Sequence, residues 1–223
     1  MDHSLGPASA SLICDRADGE QRMHMNNLRR ICVYCGSNPG HDPRYREAAW
    51  QLGTFLGLQG VGVVYGGGNV GLMAAVADGA LSVGGEVIGV IPRSLMDKEL
   101  GHRGVSKLFE VGSMHERKAM MVDLSDGFIA LPGGFGTLDE LFETLTWLQL
   151  EFHSKPVGLL NIGGFFDGLI GFVQHMRDAG FVKAEHAASL LVEADAQALL
   201  SAMRAFSPPN LGKWMERMAA DAR

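Results

Sequence analysis

Much of what would mark a specialised protein is missing from this chain. Only three of its 223 residues are cysteines, Cys14, Cys32 and Cys35. So small and odd a number in a chain this long excludes a disulfide framework and points to a reducing compartment, the cytoplasm. Basic charge is short as well: 19 Lys and Arg stand against 25 Asp and Glu, a net charge of −6. A nucleic-acid backbone therefore finds no field to hold it, and no nucleic-acid partner is expected. No long apolar run occurs, and residues 1–27 lack a basic start followed by an apolar core, so neither a transmembrane helix nor a signal peptide is expected. The eight histidines show no metal-ligand spacing on an expected helix, and there is no Gly-x-Ser-x-Gly elbow. Metal-dependent and serine-hydrolase chemistry lose their usual supports.

What is abundant is glycine, 30 residues clustered at the ends of short apolar runs, in a chain that is 47% hydrophobic. The runs Ile31–Cys35, Val61–Tyr65, Val87–Ile91, Lys107–Val111, Gly127–Leu131, Val157–Leu160 and Leu190–Val192 read as strands. Helical periods fit between and after them, over Arg44–Leu58, Val70–Leu81, Met114–Ser125, Leu138–Leu150, Phe166–Ala179 and Ala196–Phe206. Continuously apolar strands alternating with helices predict a doubly wound, Rossmann-like α/β fold. Its mainly parallel sheet of about seven strands has helices on both faces. Residues 28–207 are expected to form one domain, after an extension over 1–27 and before a tail over 208–223. Trp214, Met215 and Met218 in the tail have helical spacing, suited to a docking helix or an oligomer contact. Cys32-Val-Tyr-Cys35 has redox spacing but falls on a strand, so buried structural cysteines are the reading taken.

In such folds ligands sit beyond the carboxyl ends of the strands, which directs attention to four loops. Gly36 and Ser37 follow the first strand and suit either a ligand or a turn. Gly66-x-Gly68-x-x-Gly71 follows the second and fits a dinucleotide fingerprint, with Gly67 in its middle. Glu86 has the spacing of the ribose-binding acid, yet it precedes a strand instead of ending one, so the fingerprint is not taken as a cofactor site. The glycines there suit anion binding or a close helix crossing equally. In Ser113-Met-His-Glu-Arg117-Lys118, Ser113 and Glu116 form a capping box. The two cations oppose the helix dipole and call for an acidic partner or an anionic ligand. Finally, "PGGFGTLDE" places Gly133, Gly134 and Gly136 before Thr137-x-x-Glu140. On spacing alone this is a second capping box, with Thr137 as cap and Glu140 reaching back.

Together, "VYCGS", "VYGGGNVGLM", "GEVIGVIP", "MHERK" and "PGGFGTLDE", in this order, resemble the LONELY GUY (LOG) family from about Arg30 to Phe206. These are cytokinin riboside 5′-monophosphate phosphoribohydrolases, also described as lysine decarboxylases; no motif for the pyridoxal cofactor of decarboxylation is apparent. The resemblance implies hydrolysis of an adenosine-type 5′-monophosphate to free base and ribose 5-phosphate, with no cofactor. It implies catalytic roles for Arg117 and Glu140. Nucleotide-binding roles are implied for Glu99, Lys118, Gly134, Phe135, Gly136, Thr137, Leu138, Asp139 and Thr146, and the glycine-rich loops would clamp the phosphate. It also implies a homodimer, in some members assembled further. Related folds include molybdenum cofactor carriers, which give a non-catalytic alternative. Asn69, Ala74, Phe135 and Asp139 depart from the commonest family residues, but the matched Arg and Glu are both present.

Overall fold

The computed structural model describes residues 26–96 and 100–209. Glu99, Cys14 and the tail residues Trp214, Met215 and Met218 lie outside the described residues. In chain order the elements are β1 (Arg30–Tyr34), α1 (Pro43–Leu58), β2 (Gly62–Tyr65), α2 (Gly71–Ser82), β3 (Val87–Pro92), α3 (Arg93–Met96), β4 (Lys107–Val111) and α4 (Met114–Asp123). There follow β5 (Gly127–Ala130), α5 (Phe135–Gln149), β6 (Val157–Leu160), α6 (Asp167–Asp178), α7 (Ala184–Ala187), β7 (Leu190–Glu193) and α8 (Ala196–Ala205). Every strand and long helix read from periodicity is present, with ends moved by at most three residues. The short helices α3 and α7 had no periodic signal, since a single turn spans too little chain to show one.

All seven strands pair in parallel, in the order β4-β3-β2-β1-β5-β6-β7. The chain runs outward from β1 through β4 and then returns to lay β5 on the other side of β1. Between β1 and β5 is therefore the topological switch point, where successive connections leave on opposite faces of the sheet. Both faces are covered. Ile31 and Val33 of β1, with Cys35 just past its end, pack with Leu52 of α1, Val76 of α2 and Met203 of α8. Cys32 and Tyr34 point the other way, into a core with Met121 of α4, Leu141 of α5 and Phe166. The two cysteines thus occupy opposite faces, and burial pushes both thiols well above their ordinary pKa. Neither is placed for redox chemistry.

Helix α1 begins where Asp42 accepts a 2.9 Å hydrogen bond from the Arg44 N–H, with Pro43 fixing the first turn. It crosses α2 at near backbone contact. A Cβ on Gly53 would run into the Val76 carbonyl, and one on Gly79 into the Trp50 carbonyl. At the amino ends of the strands Arg30 holds Glu86 at 2.8 Å, so Glu86 lies at the end of the sheet away from any ligand crevice. This closes the dinucleotide reading that its spacing had raised. Gly53→Val is expected to force the two helices apart and cost roughly 1–3 kcal/mol or more, measured as a lowered urea midpoint at unchanged m-value.

Candidate active site

Three loops meet at the carboxyl ends of β1, β2 and β5, and glycine is what lets them meet. The Gly36 N–H donates to the Pro132 carbonyl at 3.1 Å, the Leu131 N–H to Tyr34 at 2.9 Å, and the Leu72 N–H to Gly36 at 3.0 Å. A Cβ on Gly133 would come within 2.9 Å of the Gly36 nitrogen. One on Gly71, whose φ is +56°, would strike the Ser37 carbonyl. These contacts frame a cavity of about 560 Å³, within the range of small-molecule sites.

The helix leaving β5 starts earlier than expected. Its N-cap is Gly134, in extended conformation, and no side chain caps it. Thr137 is the third helical residue and packs against Gly133, so it is not the cap. Glu140 is then six residues past the cap, in the second turn, where no reciprocal capping bond is geometrically available. The capping-box reading of Thr137-x-x-Glu140 is corrected. Gly134, Phe135 and Gly136 border the cavity with the first-turn N–H groups, which no intrahelical carbonyl can satisfy. Nothing lies within 4 Å of a Cβ built on Gly134 or Gly136. The fold's own packing does not require glycine at either position.

Arg117 enters from α4. That helix has the predicted cap, with the Ser113 hydroxyl accepting from the Glu116 N–H at 3.1 Å; the Glu116 carboxylate reaches the Gly112 N–H at 2.7 Å instead of the cap residue's own. Arg117 is buried, with 5% of its surface exposed. Its Nη2 donates to the Gly66 carbonyl at 2.9 Å, its Nε to the Val90 carbonyl at 3.2 Å, and its Nη1 lies 3.7 Å from the Met114 sulfur. The carbonyl ends of β2 and β3 thus seat a cation that the start of its own helix disfavours. Glu140, half-buried, lines the same cavity. Its turn is fixed from beneath: Thr144 donates to the Glu140 carbonyl at 2.8 Å, so Tyr34 donates to Thr144 at 2.9 Å. The Cys35 thiol beneath is raised by burial and by the Glu140 charge, and lowered by Arg117.

Of the residues singled out in the sequence, the cavity wall contains Gly36, Ser37, Arg117, Gly133, Gly134, Phe135, Gly136, Thr137, Asp139 and Glu140. Gly67 and Gly68 are not in that wall. They are buried, with the Gly67 carbonyl accepting from the His102 N–H at 2.9 Å and Gly68 bridged to Gly101. Lys118, Leu138 and Thr146 are not in it either, though the Lys118 ammonium lies 3.1 Å from the carboxylate of Asp139, which is; the exposed Thr146 hydroxyl donates to the Phe142 carbonyl at 2.7 Å. Glu99 is not among the described residues. Tyr45, Leu72, Met73, Leu95, Met114 and Phe165 also line it, and none was foreseen there. Each is an apolar side chain on or beside a helix, where the pattern signals core. Among the described residues, no group of three His, Cys, Asp or Glu side chains is placed to hold a metal ion. No described helix is long and apolar enough to cross a membrane.

A family model described as "Possible lysine decarboxylase" matches residues 73–203. The cytokinin riboside 5′-monophosphate phosphoribohydrolase LOG of Oryza sativa subsp. japonica is 48% identical over 176 residues, 79% of this chain and 71% of that protein. LOG4 of Arabidopsis thaliana, of the same name, is 43% identical over 188 residues, 84% of this chain and 87% of that one. The chain belongs to the LOG family. A molybdenum cofactor binding protein from Rippkaea orientalis superposes with a TM-score of 0.57 at 22% identity, covering 87% of this chain and 97% of its own. That likeness shows the fold alone. Within the LOG family match lies the whole of α4 and α5, and with them Arg117 and Glu140.

The seat of Arg117 depends on Gly66, where a Cβ would collide with the guanidinium and approach the Met73 sulfur at 3.1 Å. Gly66→Ala is expected to displace Arg117 from both carbonyls in a crystal structure and to lower stability by roughly 1–3 kcal/mol. An unmoved arginine at an unchanged melting temperature contradicts this account of its seat.

Proposed function

We propose that this protein hydrolyses the N-glycosidic bond of adenosine 5′-monophosphates, N6-substituted ones included, releasing the free base and ribose 5-phosphate. The observation that carries the proposal is the meeting of Arg117, Glu140 and the uncapped amino end of α5 in one cavity. The relatives over most of the chain bear the name of this activity.

Each part has a task. The first-turn N–H groups of α5, with the helix dipole behind them, bind the 5′-phosphate without a fixed countercharge. Gly134 and Gly136 are read as glycines required by the ligand, since the fold leaves space at both. As the bond from C1′ to the base breaks, positive charge builds on the ribose ring, and the Glu140 carboxylate stabilises that charge and positions the attacking water. Water supplies the hydroxyl to C1′ and a proton to the departing base, so the step balances without redox change. Arg117, held rigid by two backbone carbonyls, orients the sugar and Glu140.

The resemblance also implies a homodimer, and the protein offers apolar surface for one. Phe152, Phe172 and Phe181 are exposed, and a groove of about 190 Å³ lies between α5, α6 and α7. A cytoplasmic setting agrees with two buried thiols that no disulfide joins.

Because Glu140 stands past the first turn, Glu140→Gln leaves the helix start intact. The variant is expected to melt within a few degrees of wild type and to release base from AMP about 10²–10³-fold more slowly, by analogy with loss of one charge-stabilising group elsewhere. Equal turnover by the variant would remove Glu140 from the chemistry.

A further inference from the structure

The glycine run after β2 is held from outside by segment 100–104, which lines no part of the cavity. His102 donates its main-chain N–H to the Gly67 carbonyl at 2.9 Å, and the Asn69 N–H donates to the Leu100 carbonyl at 3.1 Å. Between these two bonds Gly68 and Gly101 form an antiparallel bridge. Leu100 has a φ of +48°, a left-handed conformation that a leucine keeps only where its surroundings hold it. What anchors the segment in turn is a side chain. His102 is buried, and its Nδ1 accepts from the Gly104 N–H at 3.2 Å. The proton of the neutral ring therefore sits on Nε2, which lies 3.0 Å from the Asp78 carboxylate on α2. One ring nitrogen is engaged to its own turn and the other to a helix.

This pin reaches Arg117 through a single residue. Gly67 follows Gly66, whose carbonyl accepts from Arg117 Nη2 at 2.9 Å. A Cβ on Gly67 would come 3.2 Å from the nitrogen of Val90, and the Val90 carbonyl accepts from Arg117 Nε at 3.2 Å. Successive carbonyls of the loop thus serve the pin and the site. We infer that His102 is a positioning residue: anchored to Asp78, it holds loop 66–68 so that the Gly66 carbonyl stays on Arg117. This rests on the glycosidase reading, in which Arg117 orients the sugar and Glu140. A histidine that served stability alone would lower the melting temperature and leave the turnover of folded protein unchanged. A positioning histidine lowers kcat in protein that is still fully folded.

The gentlest cut is Asp78→Ala, because that side chain is 46% exposed and its loss opens no buried cavity. With AMP as substrate, well below the melting temperature, kcat is expected to fall about tenfold while KM stays within about twofold, since misplacement of a catalytic group costs turnover more than binding. His102→Ala is expected to lose as much, and the double variant no more than either. Asp78→Asn keeps an acceptor oxygen, and His102→Gln keeps an amide that can donate where Nε2 did. Both are expected to hold kcat within about threefold of wild type. Unchanged kcat in the alanine variants overturns the inference, as do additive losses, or conservative variants as impaired as the alanine ones. Should His102→Ala not fold, the two Asp78 variants decide alone. Amide hydrogen exchange gives an arm that needs no turnover: in Asp78→Ala, the amides of Asn69 and His102 should exchange about tenfold faster while those of α8 keep their rates. Unchanged exchange at both amides overturns the pin. Wild-type protein that releases no base defeats the glycosidase reading alone, because the exchange result stands apart from it.

Discussion

The near contact of backbone with backbone at the switch point is the constraint on which the rest of this structure depends. Gly36, Gly71 and Gly133 bring the loops after β1, β2 and β5 within hydrogen-bonding distance of one another. At Gly71 and Gly133 a side chain would drive backbone or Thr137 aside, and at Gly36 it would press on the Asn38 carbonyl at 2.9 Å. With those positions free of Cβ atoms, the carboxyl ends of the central strands close into a cavity instead of splaying open. The start of α5 then borders that cavity, and the carbonyls of Gly66 and Val90 hold Arg117 in its wall.

A division of electrostatic labour follows. The helix start contributes diffuse positive potential from N–H groups that carry no side chain to move. Arg117 contributes a concentrated charge, and its burial is tolerated because strand-end carbonyls accept from it. Glu140 supplies the opposite sign one turn farther along α5. A substrate with an anionic end and a sugar that becomes cationic during reaction matches this order of charges. The neutral apolar wall of Leu72, Met73 and Leu95 leaves room for a base.

Much of this was legible in the sequence, and the part that was not has a physical cause. The strands could be read because burial on both faces demands continuous apolar runs. Cys32 and Cys35 were rightly read as buried, since three steps along a strand place them on opposite faces. The start of α5 was misread because Phe-Gly-Thr carries weak helix propensity and Thr137-x-x-Glu140 mimics a capping box. Tertiary contact of Thr137 with Gly133 overrides both signals. Gly67 and Gly68 suited anion binding and close packing equally from sequence; they pack against the segment Leu100 to His102. The apolar cavity wall was invisible because a methionine or leucine on a helix reads the same whether it meets core or ligand. Lys118 was legible as a cation needing a partner; which partner depended on the packing of two helices remote in sequence.

The most direct test of this site is a crystal structure of the Glu140→Gln variant with AMP bound. Phosphate oxygens are expected within hydrogen-bonding distance of the first-turn N–H groups at Gly134 to Gly136, with C1′ of the ribose nearest to the side chain at position 140 and the sugar beside Arg117. Phosphate bound elsewhere, or a ribose turned so that C1′ faces away from position 140, would contradict the reading of the site as a glycosidase.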